Sequence, residues 1–149
     1  MRRSRVYIAI AFAVFVFAGI SLLLARALTG ASAERGAVLD LARAEARGDA
    51  AAVLAQLPAC RAQPACVHAT TERVAALKQP GAVQLLTYQP SVQVTLTRRI
   101  GTGRVAWRAG TRLPVVQCVR VRREGPLTGG SVALLSVSGR IGGEASCPR

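Results

Sequence analysis

Residues able to carry out chemistry are scarce in this chain. His68 is its only histidine, and Asp40 and Asp49 are its only aspartates. A Ser-His-Asp arrangement would have to be assembled from these three, and no Gly-x-Ser-x-Gly nucleophile elbow accompanies them. Asp49 already has another role, as the residue that caps a helix. Cys60, Cys66 and His68 are metal-ligand types, but Cys66 and His68 stand two apart, and on a helix such residues do not share a face. We therefore expect no catalytic residue, no metal ligand and no cofactor, and read the chain as a non-enzyme.

The four cysteines, Cys60, Cys66, Cys118 and Cys147, suit disulfides. An even number in an exported domain points that way, and three pairings are open in principle. The favoured one joins Cys60 to Cys66 across a tight loop, worth about 2 kcal/mol of loop-closure entropy. Cys118 with Cys147 would then pin the tail. The absence of a Cys-x-x-Cys motif argues against redox catalysis.

Arginine is the abundant functional type, supplying 19 of 20 basic residues in a chain of net charge +13. The charge is uneven: residues 34–81 carry net +1 and residues 82–149 net +8. Arg104 and Arg108 alternate onto one face of a strand, and Arg120 and Arg122 onto one face of the next. If those strands pair, the four make a basic patch opposite Trp107 and Val119. Guanidinium groups bind phosphate and carboxylate bidentately, so the expected partners are anionic lipid headgroups, anionic wall polymers or an acidic protein face. Nucleic acid is not expected, because the aromatic platforms that stack single strands are missing.

What must position these residues begins with Val6 to Ala25, twenty residues without a charge. As a helix the run rises about 30 Å, the thickness of a bilayer's hydrocarbon core. Arg2, Arg3 and Arg5 precede it, which places the N-terminus inside and the rest outside. The expected organisation is a cytoplasmic tail (1–5), a transmembrane signal-anchor (6–25), a linker (26–33) and an extracytoplasmic domain (34–149). Cleavage near Ala33, at Ala31-Ser32-Ala33, is the alternative, and it exports the same domain as a secreted one.

Beyond the anchor, residues 33–47 carry a helical stripe of Val38, Leu41, Ala42 and Ala46. Gly48 interrupts, Asp49 caps a second helix to Leu57, and Pro58 stops it. A third helix is expected from Cys66 to Leu77, ended by Gln79-Pro80-Gly81. The period then switches to two. Strands are expected at Ala82–Tyr88, Val92–Thr97, Arg104–Ala109, Val115–Arg123 and Val132–Ile141, with a turn at Gly101-Thr102-Gly103 and an irregular tail. Three helical segments followed by four or five strands predict an α+β domain, with helices on one face of a curved antiparallel sheet.

Three features together resemble the nuclear transport factor 2-like (cystatin-like) superfamily. They are the opening LARAEARGDAAAVLAQL, the short third helix, and the hairpin VAWRAGTRLPVVQCVRVRR followed by SVALLSVSGRI. The resemblance spans about residues 33–142 and implies a cone of helices wrapped by the sheet. Single-pass, outward-facing domains of similar look occur as accessory subunits of bacterial secretion and conjugation machines and in actinobacterial envelope proteins. Enzymes of the superfamily usually set an Asp, Glu or His inside the cone. Here the expected inner strand positions Val92, Val94, Leu96, Val105, Trp107, Val115, Val119 and Val121 are apolar, with Gln117 the exception.

These readings converge on a membrane-anchored domain outside a bacterial cytoplasmic membrane, binding a protein partner or an anionic envelope component through its sheet. The alternative is a domain that holds a small apolar ligand in the cone, with Trp107 and Gln117 in the pocket.

Overall fold

The computed structural model describes residues 2–89, 100–124 and 131–148, and the side chains of residues 2–6, 8, 9, 23 and 25–31 in the first helix, and of Glu124, lie outside that description. The alternating stretch Val92–Thr97, expected as a strand, and the glycine-rich stretch 125–130 are also outside it.

The first helix, α1 (Arg2–Arg47), runs unbroken for 46 residues. The stretch 26–33, expected as a linker, is part of it. Nothing there stops a helix: the stretch has no proline, and Gly30 costs only about 1 kcal/mol against alanine. The helix ends where expected. Gly48 takes φ 75°, its N–H bonds Glu45 O at 2.9 Å, and Asp49 N–H bonds Ala44 O at 3.0 Å. This is a glycine-terminated helix end that satisfies the last carbonyls. Among the described residues, no helix is long and apolar enough to cross a membrane. Five of the twenty side chains in the apolar run (Val6, Ile8, Ala9, Leu23 and Ala25) lie outside the described set.

Asp49 then caps α2 (Ala50–Gln56), its carboxylate accepting from Ala52 N–H at 2.9 Å. Pro58 does not simply end this helix. It stands in the first turn of a short α3 (Pro58–Arg61), and Pro64 does the same for α4 (Pro64–Leu77). Proline suits that position because its missing N–H would be unpaired there anyway. The third expected helix therefore starts two residues before Cys66.

Four strands follow: β1 (Val83–Gln89), β2 (Ile100–Ala109), β3 (Val115–Glu124) and β4 (Ser131–Val137). They form an antiparallel meander in the order β1-β2-β3-β4. Gly101-Thr102-Gly103 is not a turn. It lies inside β2, where Gly101 faces Val121 and Gly103 faces Val119 across the ladder. Strand pairing supplies the backbone hydrogen bonds, which outweighs the local preference of the two glycines. β4 ends four residues before the expected Ile141, and the chain continues beside β3 through Ser138 N–H to Cys118 O at 2.9 Å and Ile141 N–H to Val116 O at 2.8 Å.

The helices lie on one face of the sheet, and the core fills the space between. Val105, Trp107, Val115 and Val119 point inward from the strands to meet Val38, Leu41, Val53, Leu57 and Val74 from the helices.

Candidate functional site

The residues with chemical potential gather in three places: inside the core, at one end of the sheet, and on the sheet's outer face.

The core group centres on Gln117. Its side chain is almost fully buried, and so is the Trp107 indole. The indole N–H donates to Gln117 Oε1 at 2.7 Å. Gln117 Nε2 in turn donates to Glu45 Oε1 at 3.2 Å and to Ser138 O at 3.0 Å. Because indole can only donate, the amide oxygen must face it, which fixes the amide's orientation. Arg73 completes the group. Its Nε stands 3.4 Å from Glu45 Oε1, an ion pair without hydrogen-bond geometry, and its Nη1 donates to Val137 O at 2.9 Å. Glu45 Oε2 is buried without a partner. Burial pushes the Glu45 carboxyl above the ordinary carboxylate range, and the opposing pull of Gln117 and Arg73 does not cancel it.

Trp107 and Gln117 therefore do meet, but on each other. An open cleft of about 440 Å³ lies elsewhere, lined by Arg43, Ala46, Arg47 and the segment Gln79–Val83. Neither Trp107 nor Gln117 borders it.

The second group closes one end of the sheet. Glu34 is fully buried. Tyr88 donates its hydroxyl hydrogen to Glu34 Oε1, and Arg123 Nη2 donates to Oε2 at 2.9 Å. Burial first, then the bond and charge of Glu34, push the Tyr88 hydroxyl far above its ordinary range.

Neither glutamate was singled out by the sequence reading, although a signal exists. Glu34, Val38, Leu41 and Glu45 recur at spacings of four, three and four, so both acids fall on the buried stripe of α1. The inner face expected to be apolar but for Gln117 receives its carboxylates from the helix.

The outer face carries Arg104, Arg108, Arg120 and Arg122 together, as the ladder pairs Arg104 with Cys118, Thr102 with Arg120 and Ile100 with Arg122. Their environments differ. Arg104 donates to Gly143 O of the tail. Arg108 donates to Gln84 Oε1 at 3.1 and 3.3 Å. Arg120 and Arg122 are exposed.

The cysteines are bonded Cys60 to Cys66 and Cys118 to Cys147. The first joins α3 to α4, and Thr70 donates its hydroxyl hydrogen to Cys60 Sγ at 3.4 Å, since a disulfide sulfur has none to give. The second folds the tail onto the outer face, with Cys147 Sγ 3.8 Å from Gly103 O. As disulfides, Cys60 and Cys66 offer no thiolate to a metal. His68 is exposed on α4, 3.6 Å from Glu72 one turn on. Among the described residues, no group of three or more His, Cys, Asp or Glu side chains could hold a metal ion.

Compared with known proteins, the chain matches no family model, no curated protein and no solved structure.

Proposed function

We propose that this chain is a non-enzymatic, single-pass membrane protein whose disulfide-stapled α+β domain stands outside the cytoplasmic membrane and presents its outer sheet face to an anionic partner. The observation that carries this reading is the first half of α1. Tyr7, Phe12, Phe15 and Phe17 are each about 70–80% exposed, and Ile10, Val14, Ile20, Leu22 and Leu24 are exposed with them. A helix apolar on all sides, holding no charge from Val6 to Ala25, needs an apolar surrounding, and its length suits a bilayer. The arginines at its start set the direction, and two disulfides suit an oxidising outer compartment.

The order of helices and meander is read as a cystatin-like cone, in keeping with the resemblance noted above. An apolar ligand in the cone draws less support, because the polar groups expected to orient it, Trp107 and Gln117, are bonded to each other.

The test is an alkaline carbonate wash of membranes carrying the full chain, followed by intact mass measurement. We expect the protein to stay in the pellet at a mass that includes residues 6–25. Release into the wash, with a mass beginning near Glu34, would replace the anchor with a cleaved signal and a secreted domain.

A further inference from the structure

The cleft beside Arg43 and Arg47 and one edge of the sheet meet at the start of β1. The fold builds the cleft wall firmly. Gln79 N–H bonds Ala46 O at 3.0 Å, and Gln79 Oε1 accepts from Ala109 N–H at 3.4 Å, which ties the wall to both α1 and β2. Gly81 holds φ 110° against Gly110, so closely that a Cβ there would stand 2.9 Å from the Gly110 backbone.

The two arginines have little else to do. A basic residue in the last turn of a helix commonly serves the helix's own carbonyls. Here Ala44 O, Glu45 O and Ala46 O already accept from the N–H groups of Asp49, Gly48 and Gln79. Arg47 is exposed and has no partner among the described residues. Arg43 pairs with Asp40 at 3.0 Å, but both side chains are more than half exposed. Such a pair is worth little in water, so a competing carboxylate can displace it.

The sheet edge supplies the rest. β1 is the end strand, with β2 on its other side. Gly110 N–H bonds Ala82 O at 3.1 Å, which marks these residues as a hydrogen-bonded pair, and such pairs alternate along an antiparallel ladder. Val83 opposite Ala109 and Leu85 opposite Trp107 occupy the positions between. Their side chains pack against the core, while their backbone N–H and C=O groups point away from β2. A bulge between Leu85 and Thr87 ends the regular edge, so the pairing on offer is short and lies next to the cleft.

Charge selects the occupant. β1, VQLLTYQ, holds no acid, so a second copy pairing there would leave both arginines unanswered. Lipid headgroups carry phosphate but no strand to pair with Val83 and Leu85. We infer that the start of β1 and the adjoining cleft bind an extended acidic segment of a partner protein, which pairs its backbone with Val83 and Leu85 and sets carboxylates against Arg43 and Arg47. Main-chain bonds along the edge hold such a segment, and the guanidinium–carboxylate pairs select for acid. This surface is separate from the outer sheet face, and the inference does not depend on the anchor.

The test uses the full chain in neutral detergent micelles, titrated with three synthetic probes and followed by amide resonances. The first probe is a peptide of alternating valine and glutamate, the second replaces glutamate with lysine, and the third is the first with alternate amides N-methylated on either register. We expect the acidic probe alone to shift the amides of residues 81–86 and to slow hydrogen exchange at Val83 and Leu85. Arg43→Gln with Arg47→Gln should weaken its binding about tenfold. Val83→Pro removes one outward N–H and should abolish the slowed exchange at Leu85. An unchanged Trp107 indole resonance shows that each variant is folded, and the methylated probe tests the same backbone contact on the unaltered chain. Equal binding of the acidic and lysine probes, or no binding of the acidic one, overturns the inference. Undiminished binding of the methylated probes also overturns it, reducing the site to a charged cleft without strand pairing. Shifts of the same amides with protein concentration alone would give the edge to a second copy and overturn it likewise.

Discussion

Glu34 and Glu45 sit eleven residues apart on one stripe of one helix, both fully buried, and the fold treats them differently. Glu34 meets a charge directly, with Arg123 on one carboxylate oxygen and the Tyr88 hydroxyl on the other. Glu45 meets mainly a neutral amide. Its arginine stands off at 3.4 Å, and one of its oxygens has no partner. Removing a carboxylate from water is costly unless it is both paired and hydrogen-bonded, and only the first meets both conditions well. Glu34 thus works as a clasp between helix and sheet at the end nearest the apolar run. Glu45 is one member of a chain of polar groups that orders the middle of the core.

The strongest way to break this contrast is Trp107→Ala. It empties a fully buried indole site and leaves Gln117 Oε1 without its donor, while the Glu34 clasp is untouched. We expect a loss of about 4 kcal/mol in denaturant unfolding, with the core half of the molecule failing first in hydrogen exchange. A loss below about 2 kcal/mol would mean that the core is not organised around this pair.

The disulfides sharpen the contrast at the next level. Cys118 is the neighbour of Gln117, and its bond to Cys147 closes a separation of 29 residues, whereas Cys60–Cys66 closes 6. Loop-closure entropy gives about 3.5 kcal/mol for the first and about 2 kcal/mol for the second. Paired serine substitutions measured by thermal unfolding should keep that order. The reverse order would show that the tail contributes little to the sheet.

Tyr88→Phe probes the other region. Glu34 keeps Arg123 but loses one donor, so we expect about 1.5 kcal/mol, without change in the Trp107 signal. A change at Trp107 would mean that the two regions are not separate.

The smallest effect is a slope. Below the ordinary value of 4.5, Glu45 is protonated in both folded and unfolded chains. As pH rises past it, the unfolded chain gives up the proton first while the buried carboxyl keeps it. Stability then falls with rising pH until the folded carboxyl also ionises, and is flat above. Glu45→Gln should remove this component, read as the difference between the two stability–pH curves. Identical curves would place Glu45 in a more polar setting than its burial implies.

Much of this architecture was legible because the governing interactions are local. Asp49 as a cap, Gly48 as a stop and the period-two run of β3 each depend on neighbours a few residues away. The cysteine spacing carried the pairing for a related reason: a short loop closes easily. The misreadings were of two kinds. From sequence alone, Pro58 and the glycines of β2 read as breaks, although each sits where its backbone preference costs little. The buried acids were missed because their partners are remote: Glu34 bonds Arg123 across 89 positions, and Glu45 bonds Gln117 across 72. A charged residue on an apolar stripe can be seen in the sequence, but the residue that answers its charge cannot.

The proposed anchor depends on α1 passing unbroken from the apolar run into the core. The measurement that tests this most directly is amide hydrogen exchange of residues 26–33 in the full chain embedded in a bilayer. We expect slow, helix-like exchange continuous with residues 34–47. Exchange at the rate of an unstructured chain would contradict a rigid support.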